Sequence, residues 1–349
     1  MSDRTGISWT DATWNPIRGC SRVSEGCRHC YAERQALRIT RFDRGLGKPE
    51  GRGAYDGLVH EVAGEARWTG QVRLVPELLD QPLRLRRPRR IFVNSMSDLF
   101  HESLSEDAIL AVFVTMARAQ RHTFQVLTKR PARMRAVLAK WQSGGLTLRE
   151  GVTLREGSGA MLPNVWLGVS AEDQATLDAR VPDLLRCPAA VRWVSLEPQL
   201  GPIDTGRYLG SPWFCPYCSW SGDEPAFSAF SWESAAFCPK CHTECEARTE
   251  RLDWIVQGGE SGPGARPFDL AWARTTRDQC REAGTAYYLK QLGAQPKSTD
   301  GRSYADLGYP EGVQFTGNGK GWLYHHLKHR SGADPAEWPE ALRVQEFPR

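Results

Sequence analysis

Cys20, Cys27 and Cys30 lie near the start of the chain, separated by gaps of six and two residues. Three thiolates without a nearby fourth leave one iron of a four-iron cluster open to an external ligand. A structural zinc asks instead for a fourth protein ligand. His29 sits between two of the cysteines and is badly placed to close such a site, and His60 or His101 reaches it only through the fold. The spacing therefore favours a 4Fe-4S cluster over a zinc centre or uncoordinated thiols.

A second group reads Cys215-Pro-Tyr-Cys218 and Cys238-Pro-Lys-Cys241, two Cys-x-x-Cys knuckles nineteen residues apart. Four thiolates at this spacing suit a tetrahedral zinc. Metal binding would supply the folding energy that so short a segment cannot draw from a core. Cys245 and His242 are spare candidates, and Cys187 and Cys280 stand alone as small apolar side chains. A chain with ten cysteines and no visible export signal is expected in the reducing cytoplasm, where clustered thiols point to metal rather than disulfides.

The elements that would position these groups follow a repeating pattern. Ile91–Met96, Phe124–Leu127, Val165–Val169, Val191–Leu196, Trp254–Val256 and Ala286–Leu289 are β-rich runs, most of them followed by a helical stripe. Ser103-Leu104-Ser105-Glu106 reads as a capping box, and Pro131 suits a first helical turn. Alternating strands and helices imply parallel strands joined by crossovers. The fold class expected is α/β, a full or partial TIM-type (β/α) barrel with a small zinc-ribbon insertion. In such barrels the C-terminal strand ends line the site. Here those ends carry Asp98, Lys129, Ser170, Glu197, Glu260 and Lys290. Any one of them could instead be a helix cap or a loop charge.

The expected organisation is a first barrel part with the cysteine loop (1–204), the ribbon (205–250), the last strands (251–295) and a C-terminal extension (296–349). Residues 41–70 and 142–162 read as loop excursions. Trp322, Leu323, Tyr324 and Trp338 could pack the extension back onto the barrel. Net charge is only +4, and no run is apolar and long enough to cross a membrane. Arg84–Arg90 and Lys129, Arg130, Arg133 and Arg135 are basic clusters that can hold phosphates or simply pair with acids.

The Gly19-Cys20-x6-Cys27-x2-Cys30-Tyr31 loop after a first strand resembles the radical S-adenosylmethionine superfamily, whose usual gaps are three and then two. Ile7–Pro16, Tyr31-Ala32-Glu33, Asn94–Phe100, Leu127–Arg130, Leu196-Glu197-Pro198, Gly258–Gly262 and the tail Glu346-Phe347-Pro348 are similar to a phage-associated family carrying a domain of unknown function. Ser97–Phe100 and Leu127–Arg130 are also similar, more distantly, to spore photoproduct lyase relatives.

These resemblances imply an enzyme that binds S-adenosylmethionine on the open iron, generates a 5′-deoxyadenosyl radical and takes electrons from a donor protein. Modification or repair of nucleic acid is the implied reaction class. Asn94, Ser95, Asp98 and Ser170 would bind the cofactor, and Lys129, Glu197 and Glu260 would serve catalysis. Two other classes compete: a non-enzymatic nucleic-acid-binding protein with Fe-S and zinc scaffolds, and a metal-dependent hydrolase using Asp98, Glu197, Glu260 and a histidine.

Overall fold

The computed structural model describes residues 5–144, 162–210, 213–215, 217–218, 221–222, 226–227, 236–247, 250–301, 305–317 and 322–348. The chain divides into two compact units, residues 1–172 with 176–191, and residues 173–175 with 192–349.

In the first unit, β1 (Ala12–Trp14) is followed by β2 (Ile17–Arg18), α1 (Tyr31–Gly45), the hairpin of β3 (Val59–Val62) and β4 (Glu65–Trp68), and β5 (Arg73–Leu74). The expected 41–70 excursion is therefore partly the last turn of α1 and partly this hairpin. Its Gly-rich sequence hid a strand pair whose Val59, Ala66 and Trp68 are buried. Then come β6 (Arg90–Val93), α2 (Glu106–Arg118), β7 (Thr123–Thr128), α3 (Pro131–Ser143), β8 (Val165–Ser170) and α4 (Gln174–Leu185). β1, β6, β7 and β8 pair in parallel in that order.

These strands are apolar because both faces are covered. Ile91, Val93, Phe124, Val126 and Leu167 are buried, as are Ile109, Val112, Phe113 and Met116 of α2 and Met134, Leu138 and Trp141 of α3. Phe113 and Trp141 meet edge to face at 5.3 Å. Two sequence boundaries shift. The cap of α2 is Ser105, whose side chain accepts from the Ala108 N–H at 3.2 Å; it lies two residues beyond Ser103, the start of the expected capping box. β6 ends at Val93 and not Met96, because Asn94 turns the backbone left-handed at φ 60°. Residues 145–161, most of the second expected excursion, lie outside the described residues.

The second unit holds β9 (Val191–Leu196), the ribbon strands β10 (Trp213–Phe214), β11 (Ser221–Gly222), β12 (Ala226–Phe227), β13 (Ala236–Phe237) and β14 (Glu246–Ala247), then β15 (Trp254–Gly258), β16 (Phe268–Asp269), α5 (Leu270–Glu282) and β17 (Ala286–Gln291). β9, β15 and β17 are parallel neighbours. The extension is structured: β18 (Pro296–Ser298), β19 (Gln314–Gly317) and β20 (Leu323–His326) join β16 in a sheet ordered β16-β18-β20-β19. Trp338 is fully buried, and Trp322, 38% exposed, lies under Lys297 Nζ at 3.9 Å from its ring centre.

Among the described residues, parallel strands alternating with helices in each unit establish the α/β class. No helix among the described residues is long and apolar enough to cross a membrane.

Candidate metal and cofactor site

The N-terminal cysteine loop leaves β2 at Gly19, whose φ is +90° and whose place a Cβ would bring to 2.1 Å from the Gln71 carbonyl oxygen. Only glycine fits this exit. Gly19 also bridges Ser97, which ties the loop to the segment after β6. Cys27 closes a 3-10 turn in which its N–H donates to the Ser24 carbonyl at 2.9 Å. Cys30 is the N-cap of α1. Burial pushes the Cys20 thiol up to about 12, and Asp98 adds to this while Arg130 opposes it. Burial also raises Cys30, against hydrogen bonds from Glu33 and Ala32. Two of the thiols raise a neighbour, Cys30 acting on Cys20 and Cys27 on Cys30.

The six-residue gap is anchored along its length. Arg130 Nη2 donates to Ser21 Oγ at 2.7 Å, and His101 Nε2 meets the same oxygen at 2.8 Å. His101 Nδ1 accepts the Ser103 N–H, so the neutral ring carries its proton on Nε2 and donates to Ser21. Burial, aided by Arg130, holds His101 below its ordinary value and keeps it neutral. Arg22 forms a bidentate pair with buried Glu33 of α1. At the far end, the Gly26 N–H donates to Glu172 Oε1 at 3.4 Å.

Glu172 itself is fully buried, 3.0 Å from Arg180 and 3.8 Å from Lys129. Burial raises its carboxyl, but Lys129 and Arg180 outweigh that and hold it below the usual carboxylate range. Glu172 and Ser21 did not stand out in the sequence, and His101 and Arg130 did so only as a possible ligand and a phosphate contact, not as anchors of the loop. Glu172 lies two residues past the end of β8, so counting strand-end positions a little further would have reached it.

The expected strand-end residues of this unit do gather here. Asp98 accepts four hydrogen bonds: Thr128 Oγ1 at 2.7 Å, the Lys129 N–H at 3.0 Å, Arg130 Nη1 at 3.0 Å and the Phe100 N–H at 3.0 Å. Those bonds fill the carboxylate's acceptor positions, so Asp98 fixes the end of β7 and, through Arg130, the cysteine loop. Arg130 is further held by Glu102 at 2.8 Å, and Arg135 pairs with Asp183 at 2.9 Å, so these basic residues engage acids of the chain. Lys129 Nζ donates to Ser170 Oγ at 2.5 Å. Asn94 accepts the Ile17 N–H at 3.3 Å through Oδ1, and its buried Nδ2 has no protein partner. Ser95 Oγ donates to Asn15 Oδ1 at 3.2 Å, and its carbonyl accepts the Tyr31 hydroxyl.

The second unit carries its own strand-end group. Glu197, after β9, pairs with Lys290 of β17 at 2.8 Å and accepts Ser195 Oγ at 3.1 Å; the Glu197–Pro198 bond is cis. A Cβ on Gly258 would lie 2.8 Å from Glu197 Oε1, so that glycine makes room for the carboxylate. Both oxygens of buried Glu260 bind Arg266, at 2.7 and 2.9 Å.

In the ribbon, the sulfurs of Cys215, Cys218, Cys238 and Cys241 all lie within 4.8 Å of one another, a set able to hold one metal ion. Cys215–Cys241 and Cys218–Cys238 sulfurs are 3.4 and 3.5 Å apart, close to the roughly 3.8 Å edge of a tetrahedron with metal–sulfur bonds of about 2.3 Å. The Cys218 N–H points to Cys215 Sγ and the Lys240 N–H to Cys238 Sγ. Hydrogen bonding with Thr243 brings the Cys241 thiol down to about 6. Cys245 packs beside the quartet and is not one of the converging four.

Among the described residues this is the one set of three or more His, Cys, Asp or Glu donors so converged; Cys20, Cys27 and Cys30 do not form such a set. Residues 4–333 match the family described as "protein of unknown function (DUF5131)". No curated protein and no solved structure matches the chain.

Proposed function

We propose, for a chain that belongs to the DUF5131 family of proteins of unknown function, an iron–sulfur enzyme of the radical S-adenosylmethionine type, with the cluster on Cys20, Cys27 and Cys30. One observation carries the reading. The three thiols sit on one loop anchored through Ser21 and Gly26, and they act on one another electrostatically, Cys30 on Cys20 and Cys27 on Cys30. Three thiolates with no fourth beside them suit a four-iron cluster with one iron left open. Held by Cys20, Cys27 and Cys30, the cluster would supply one-electron reductive cleavage of bound S-adenosylmethionine.

The chain's own residues bind and orient. Arg130 and Asp98 hold the loop. Asn94 offers an unpartnered buried amide, and Ser95, Ser170 and Lys129 offer hydroxyls and a cation at the strand ends for the cofactor's carboxylate and ribose. In the second unit, Glu197 beside Lys290 is the proton-transfer candidate, whereas Glu260 is committed to Arg266. The ribbon quartet is assigned to structural zinc. A nucleic-acid substrate rests on the likeness of Ser97–Phe100 and Leu127–Arg130 to lyase segments. The exposed Arg84, Arg86 and Arg87 precede β6 and so lie at the N-terminal end of that strand, away from the loop.

Anaerobic purification, iron and sulfide analysis and an assay for reductive cleavage of S-adenosylmethionine test the proposal. Cleavage lost in Cys27→Ser supports it. A cluster without cleavage favours a nucleic-acid-binding scaffold, and activity dependent on an added divalent metal favours a hydrolase. Unchanged turnover and cofactor affinity in Glu197→Gln would remove that residue from the catalytic set.

A further inference from the structure

The ribbon carries five cysteines, and the four whose sulfurs converge are not the four that pack together. Cys215, Cys218, Cys238 and Cys241 bring their sulfurs within 4.8 Å of one another. Packing groups Cys215, Cys238 and Cys245 in a small buried cluster, with Cys241 against it. The two sets share three members and differ in Cys218, which is exposed, and Cys245, which is buried. The local fold brings Cys245 back to this place. The Cys238 N–H donates to the Thr243 carbonyl at 2.8 Å and the His242 N–H to the Cys238 carbonyl at 2.9 Å, a tight turn that His242 passes with a left-handed φ of 59°. Across this turn, Phe237 bridges Glu244 in antiparallel fashion. Cys238 and Cys245 each follow one member of that pair, so strand alternation sends both side chains to the opposite face as diagonal neighbours. There the Cys245 thiol hydrogen-bonds with Cys238 and also feels Cys215 and Cys241.

We propose that Cys245 is a reserve zinc ligand, taking the fourth position beside Cys215, Cys238 and Cys241 when Cys218 is lost to modification. The inference rests on the zinc reading of the ribbon. A closed structural zinc site needs four ligands, and the fifth thiol already touches one of the three that stay. Exposure selects Cys218 as the ligand replaced. Cys215 and Cys238 are fully buried and Cys241 is half-buried, so an electrophile from solvent reaches Cys218 first. With a maleimide, the Cys218 sulfur leaves the ion and forms a bond to one ring carbon, while the neighbouring carbon takes up a proton. Cys245 gives up its thiol proton as its sulfur joins the ion. Protons and charge therefore balance, and the ion keeps four thiolates.

The test uses the full chain loaded with cobalt in place of zinc, because sulfur-to-cobalt charge-transfer absorbance grows with the number of bound thiolates. Cys218→Ser should take up cobalt with the absorbance of a four-sulfur site. Adding Cys245→Ser should remove about a quarter of it, one ligand of four, and weaken zinc binding by about tenfold or more in competition with a chromophoric chelator. Adding His242→Ala to Cys218→Ser instead should change neither. Equal absorbance with and without Cys245 overturns the proposal, and a loss that follows His242 overturns it in favour of a histidine ligand. A second measurement needs no variant to fold. The zinc-loaded, unmodified chain is titrated with N-ethylmaleimide while an indicator dye reads released zinc and peptide mass spectrometry maps the adducts. Cys218 alkylated with zinc retained supports the proposal. Zinc released in step with the Cys218 adduct, or alkylation of Cys245 ahead of Cys218, overturns it. An unmodified chain that takes up neither zinc nor cobalt overturns the zinc reading of the ribbon, and this proposal with it.

Discussion

Glu172 is fully buried between Arg180, Lys129 and the Gly26 amide, so its removal strands two cations and releases one end of the cysteine loop. Breaking one partner out of a buried ion group costs about 3 kcal/mol or more. Glu172→Ala should lose that much in denaturant melts and should raise amide exchange across residues 21–28, even before metal is added. Glu172→Gln should keep part of the loop protection. His325 makes a separate prediction. Burial, with Arg274 adding to it, depresses its pKa to about 4, and Asp300 and His326 also act on it; its ring meets the Tyr309 hydroxyl. A folded value below the unfolded 6.5 means the contribution is whole above pH 6.5 and is lost as pH falls toward 4. The full loss is about 3 kcal/mol. Comparing denaturant midpoints at pH 7 and pH 4.5 checks this: His325→Phe should flatten the fall, and an equal fall in both proteins would dismiss the histidine as its source.

The exit from β2 depends on Gly19 for both its left-handed φ and its closeness to Gln71. Gly19→Ala should cost about 2 kcal/mol or more and lower iron uptake several-fold, measured by melting and metal analysis. At the C-terminal end, Val344–Glu346 lies along β17: the Leu289 N–H donates to the Val344 carbonyl at 2.9 Å, the Glu346 N–H to the Tyr287 carbonyl at 2.9 Å, and Trp254 Nε1 to the Glu346 carbonyl at 2.9 Å. Truncation after Arg343 would bare that strand, so a lower melting temperature and concentration-dependent light scattering are expected. Strands and long helices were legible because their apolar stripes answer to burial in layers, as Ile109, Val112, Phe113 and Met116 of α2 do. β3 and β4 were not, since a short hairpin among glycines has little periodicity. The ribbon quartet of Cys215, Cys218, Cys238 and Cys241 was legible from spacing alone. Glu172 and His101 were not, because their roles arise from juxtaposition across β6, β7 and β8, which no local pattern records.

For the molecule as a whole, the ribbon should behave as a metal-dependent appendage. One zinc per chain is expected by elemental analysis, and chelation or Cys215→Ser should abolish exchange protection in residues 236–247 while that of the parallel strands persists. Its base explains why. The Leu252 N–H donates to the Tyr208 carbonyl at 2.9 Å, and Arg251 Nη1 reaches the Gly210 carbonyl at 2.8 Å, so the outgoing and returning chain are already clasped where the excursion starts. Such a clasp makes the locus a natural splice point: whatever is threaded through it, long or short, imposes no stretch on β9 or β15. Lineages could lengthen, trim or exchange the inserted module there without renegotiating the scaffold.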